Sequence, residues 1–163
     1  MFGGVKVKTG AYGSFKEAIN EAGWLKDEVV AAGHLRHGRA ARMSVGRPSG
    51  LEQVQLLLPR RSKKLPRHFV LAVTADEVVA FRATEVGGDS NATIYTRLKI
   101  REGVYARYPR RSVSMSDLPE GPESRGGTIT IEGDSFPVMR PNPYGDPNTN
   151  ELIAVLAEPS ELA

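Results

Sequence analysis

The chain contains no cysteine, which excludes disulfides, thiolate metal sites and cysteine nucleophiles at once. It has only three histidines, and none stands in a known pattern with a serine and an aspartate, so no hydrolytic triad can be assembled. Nucleotide fingerprints are missing too: neither G-x-G-x-x-G nor G-x-x-x-x-G-K-[ST] occurs, and there is no G-x-S-x-G. His34-x-x-His37 brings two imidazoles close in sequence, but no third ligand sits at zinc spacing and Arg36 and Arg39 flank the pair. Loop histidines exposed to solvent are the expectation there. Asp146-x-Asn148-x-Asn150 begins like a calcium loop, yet Glu151 occupies the glycine position and Ala157 the last ligand position. Helix capping accounts for those residues better. No catalytic residue, metal ligand or cofactor is expected, and the chain reads as a non-enzyme.

Long apolar runs are also absent. Nothing approaches the ~20 consecutive apolar residues of a membrane span, and residues 1–8 lack the apolar core of a signal peptide. A soluble cytoplasmic protein without a transmembrane segment is expected. At 163 residues the chain suits one domain, 1–163, able to bury a core without staples.

Charge is present in ordinary amount but unevenly placed. The net charge is +3 overall, +3 over 1–59, +7 over 60–111 and −7 over 112–163. Two explanations carry equal weight: an anionic partner for the middle segment, or an acidic final third folded back over it. The densest run is Arg60, Arg61, Lys63 and Lys64, followed by Arg67. These five are the candidate anion-binding residues, because clustered cations concentrate anionic ligands. The competing reading is a solvated loop that keeps the next strand soluble. Arg97, Lys99, Arg101, Arg107, Arg110 and Arg111 extend the patch only if their strands lie beside that loop. Tyr95, Tyr105 and Tyr108 are interleaved with them, as base stacking in a nucleic-acid site would need.

The architecture is organised around 65–82. Phe69–Val73 and Val78–Phe81 are apolar runs separated by Thr74–Glu77, which predicts a tight antiparallel hairpin. The first run is apolar at every position, so both of its faces should be covered. Upstream, Ser14 and Glu17 form a capping box, with Phe15, Ala18, Ile19 and Ala22 on one face and Gly23 as a stop. That predicts a helix over 15–22. Residues 24–35 fit either a continued helix or a strand over 28–35, the paired valines favouring the strand. Residues 1–13 read as a flexible N-terminus and 36–50 as a long loop, while 51–58 fits a helix or a strand equally well.

Downstream, 94–100 and 111–118 alternate as half-exposed strands, Arg101–Gly103 reads as a turn, and 128–132 with 136–140 forms a second hairpin. Pro137 places the last strand at a sheet edge. A final helix starts at Asp146-Pro147 or at Asn148 with Glu151, and carries a Leu152, Val155, Leu156 stripe beside Ile153. The fold class expected is α+β: a bent antiparallel sheet or open barrel with a short N-terminal helix and a C-terminal capping helix.

The 15–38 opening, the LLPRRSKKLPRHFVLAVTADEVVAFR core, the GTITIEG and FPVMR hairpin and the NELIAVLAE helix resemble small actinobacterial proteins of the bacterial pleckstrin-homology-like (PH-like) class. The resemblance spans about 15–158. It implies two roughly orthogonal antiparallel sheets capped by the C-terminal helix, no catalytic residues, and ligands met by basic loops between early strands, in character like 60–67. The function expected is a binding or scaffolding module whose basic surface meets an anionic membrane face or an acidic protein partner. The alternative is a nucleic-acid-binding protein using the Arg/Tyr-rich strands.

Overall fold

The computed structural model describes residues 4–8, 14–37, 62–86, 97–116, 126–139 and 147–157. Among the described residues, eight strands form one antiparallel sheet: β1 (Gly4–Lys8), β2 (Ala31–His37), β3 (His68–Val73), β4 (Glu77–Val86), β5 (Arg97–Pro109), β6 (Val113–Ser116), β7 (Gly126–Ile131) and β8 (Asp134–Met139). Two α-helices among these residues, α1 (Phe15–Ala22) and α2 (Pro147–Ala157), flank it. The strand order is β1-β5-β4-β3-β2-β8-β7-β6. A four-strand meander, β2 to β5, is thus joined through β2 and β8 to a three-strand meander, β6 to β8. The arrangement is an α+β open barrel.

The β3–β4 hairpin occupies the middle of this order, and its composition explains why. Phe69, Leu71 and Val73 enter one apolar cluster with Leu35, Ile129, Ile131, Phe136, Leu152 and Leu156. Val70 and Ala72 enter a second, on the opposite face, with Phe15, Ile19, Phe81, Leu98 and Ile100. A strand buried on both faces must be apolar at successive positions, not alternate ones. Phe69 and Phe81 are fully buried, each contributing about 1.5–3 kcal/mol by transfer from water.

The first cluster fills the barrel and the second lies under α1. Ser14 caps α1 by accepting from the Glu17 backbone N–H at 3.3 Å, and Gly23 ends it at φ 68°, a conformation only glycine adopts without a Cβ penalty. Among the described residues, β2 and β8 are paired at Arg36–Met139 and His37–Val138. Along the rest of that β2 edge lies α2, whose Thr149 hydroxyl accepts from His34 N at 3.1 Å and sits 3.3 Å from His34 O. A Cβ on Gly33 would lie 2.7 Å from Thr149 Cα, so glycine is what allows the helix this close.

The expected 15–22 helix, the central hairpin, the second hairpin and the terminal helix are all present. Between 24 and 35 the strand reading holds for the later part, but β2 starts at Ala31 and runs on to His37, taking the first two residues of the expected loop. Residues 4–8 pair with 97–101 where a flexible N-terminus was expected. Arg101–Gly103 does not turn the chain: β5 continues through it, shifting register against β4 around Phe81 with Gly103 at φ 102°. Such bulges bend a strand without ending it.

Nor is the Pro137 strand an edge, since β8 lies between β2 and β7. Pro137 itself stands opposite Thr128 of β7, so a proline here sits inside the sheet and not on its rim. At the last helix Pro147 is the first helical residue, and Asn148 Oδ1 instead accepts from Phe15 N at 3.1 Å, tying the two helix starts together. The 51–58 segment and most of the 36–50 loop lie outside the described residues.

Candidate functional site: a basic face beside the barrel mouth

Residues 62–67 cross one end of the barrel. Leu65 is buried and joins the interior cluster, so the segment is anchored by an apolar plug. Around it, the Tyr105 hydroxyl donates to Lys63 O at 2.8 Å and the Tyr108 hydroxyl to Lys64 O. His37 Nε2 lies 3.1 Å from Leu65 O, and the His37 backbone N–H donates to Arg67 O at 3.0 Å. Burial, aided by Glu132 and Tyr105, raises the Tyr108 pKa above its ordinary value, so the phenol remains a donor to its carbonyl. Four anchors fix a short loop whose charged residues face out.

Of the five candidate residues, Lys63, Lys64 and Arg67 fall on this loop, while Arg60 and Arg61 lie outside the described residues. Lys63 and Arg67 are exposed. Lys64 is different: its ammonium stands 3.6 Å from Glu132 and 3.5 Å from Asp134, at the β7–β8 turn. Among the described residues the acidic final third therefore meets the basic segment at one lysine.

The downstream cations divide as well. Leu98 and Ile100 are buried under α1, so strand alternation turns Lys99 and Arg101 to the other face. Arg101 Nε donates to Thr84 Oγ1 at 3.3 Å, and two residues before Thr84 the Arg82 guanidinium lies 4.8 Å over the Tyr105 ring. Tyr105 thus joins the loop, through its hydroxyl, to the strand face, through its ring. Lys63, Arg67, Arg82, Lys99 and Arg101 line this side, and among the described residues none of them forms an ion pair. In register, Lys6 of β1 pairs opposite Lys99.

Arg107 and Arg110 serve the fold. Arg107 pairs with Glu77 at 2.8 Å. Arg110 donates to Val155 O at 2.6 Å and Val113 O at 3.4 Å, a cation on the C-terminal carbonyls of α2 where the helix dipole favours it. Arg82 had no place in the sequence-based site, since a lone arginine in an apolar strand gives no pattern; only the strand register reveals its neighbours.

The histidines are not exposed loop residues. His34 is buried on the α1 side of β2, while His37 points into the barrel and stacks on Phe136 at 5.1 Å. The His34 ring instead neighbours His68, with centroids 6.0 Å apart. No group of three or more His, Asp or Glu residues able to hold a metal occurs among the described residues, nor any helix long and apolar enough to cross a membrane. No family model matches the chain, and neither curated proteins nor solved structures give a significant match.

Proposed function

We propose that the protein is a non-enzymatic binding module that lays its basic face on an anionic membrane surface. The observation that carries this reading is the gathering of Lys63, Arg67, Arg82, Lys99 and Arg101 from a loop and two strands onto one solvent-facing side, with no acidic partner among the described residues. Cations left unpaired on a rigid sheet face repel one another. They are relieved when a surface of opposite charge neutralises them, with about 1 kcal/mol gained per Lys or Arg at an anionic leaflet.

The tyrosines favour a flat surface over stacked bases. Tyr108 is buried and Tyr105 carries Arg82 on one face of its ring, which leaves little ring surface for a nucleotide at these two positions; Tyr95 lies outside the described residues. The kinship with PH-like proteins belongs to the same proposal, supported by the four-strand and three-strand meanders with a terminal helix beside their junction.

Co-sedimentation with neutral and with phosphatidylserine-containing vesicles tests the proposal. Recovery should require the anionic lipid and fall with salt. Replacing Arg82, Lys99 and Arg101 with Gln should weaken it on the order of a hundredfold. Equal recovery with both vesicle types would sink the reading, and salt-sensitive capture of DNA in its place would favour the nucleic-acid alternative.

A further inference from the structure

On the opposite face of the sheet, under the α1 side, three basic side chains stand together. Arg36 and His68 are direct cross-strand partners, and His34 is diagonal to His68. His34 and Arg36 are two apart on one strand and therefore share that face, about 7 Å apart along it. His34 is nine-tenths buried and its Nε2 has no hydrogen-bond partner among the described residues; the Arg36 Nε is likewise buried and unpartnered among them. Two inward nitrogens without acceptors are unusual in a folded chain, where buried polar atoms are nearly always paired. Arg36 itself is half-buried, so the group is approachable from the Arg36 side.

We propose that His34, Arg36 and His68 form an oxyanion site that takes a phosphate-type group, free or as a monoester. The chemistry of the donors points that way. Arginine is always protonated and presents several N–H groups in a planar fork suited to phosphate oxygens. A neutral imidazole can carry its proton on Nε2 and donate it. A tetrahedral anion over this face of the paired strands would accept from Arg36 Nε and His34 Nε2 together, with His68 beside it. Burial, then His68, then Arg36 hold His34 neutral, with its pKa down at about 3, and no acidic group among the described residues offsets them. A metal cation would meet the same positive field and be repelled; an anion would be drawn in.

The site is separate from the basic face, since side chains on the two sides of a sheet do not meet. The experiment follows the His34 and His68 ring proton resonances of the full chain by NMR at neutral pH, adding inorganic phosphate or chloride at matched ionic strength. Phosphate should shift both rings saturably and chloride should not. The R36Q variant, whose side chain is partly exposed, should weaken the phosphate affinity at least tenfold while leaving the rest of the spectrum folded. The R82Q/K99Q/R101Q variant should leave it unchanged, which separates failure of this site from failure of the membrane proposal. Glycerol 3-phosphate gives the second arm: saturation by both compounds assigns a monoester such as a headgroup, and saturation by inorganic phosphate alone assigns the free ion. Ring shifts that track ionic strength only, or an affinity untouched in R36Q, would overturn the proposal.

Discussion

The two basic groups of this protein lie on opposite faces of one sheet and obey different physics. Lys63, Arg67, Arg82, Lys99 and Arg101 stand largely in solvent, where charges are screened over roughly 8 Å at physiological salt and cost the fold little. His34 is almost completely covered and Arg36 and His68 are half-buried beside it, where each added charge must be met by desolvation. Charge of one sign can therefore be a surface property in one place and a stability term in another. Net charge over a segment does not distinguish them.

Acid should separate the two groups most sharply. The pKa of His34 is about 3 in the fold against an ordinary 6.5, so the unfolded chain takes up the proton first. The contribution is complete above about pH 6.5 and is lost as pH falls from there toward about 3, at about 1.4 kcal/mol per pH unit. Urea denaturation at pH 7, 6 and 5 should show this slope, and His34→Leu should flatten it. An unchanged slope in that variant would mean that His34 is not the group responsible.

Next in size is Gly33→Ala, which drives a Cβ to within 2.7 Å of the Thr149 backbone. Crowding of this kind costs about 1–3 kcal/mol and should lower the urea midpoint. It should also disturb His34, whose backbone is held by Thr149, before it disturbs the basic face. Tyr105→Phe removes the hydrogen bond to Lys63 O and should cost about 1 kcal/mol, with vesicle recovery reduced because the loop no longer holds Lys63 in place. Smallest is the R82Q/K99Q/R101Q triple change, expected within about 0.5 kcal/mol of the parent per site. Its thermal midpoint should barely move while its vesicle binding collapses. A large loss of stability there would show that these cations support the fold.

How much of this was readable beforehand follows from the range of each interaction. The capping box at Ser14, the all-apolar Phe69–Val73 run and the stripe of α2 depend on neighbours within a turn or a strand, and they appear where the spacing places them. The basic loop was visible as a run of charge. What stayed hidden depends on partners far away in sequence. Arg110 reads like any other arginine until Val155 is found beside it, 45 residues on, and Arg82 until Tyr105 lies under it. His34 and His37 read as a pair because they are three apart, but an odd separation in a strand sends them to opposite faces. The β5 bulge was mistaken for a turn because glycine marks both.

Thr149 and Gly33 have one more consequence. Over Ala31–Leu35 the outer edge of β2 is met by no strand among the described residues; a helix covers it, held close because position 33 has no side chain. Were α2 to lift away, that edge would offer a row of backbone donors and acceptors, the kind of template onto which another chain adds itself. The helix is therefore a guard against self-assembly, and variants that loosen it should aggregate under conditions that leave most of the sheet intact.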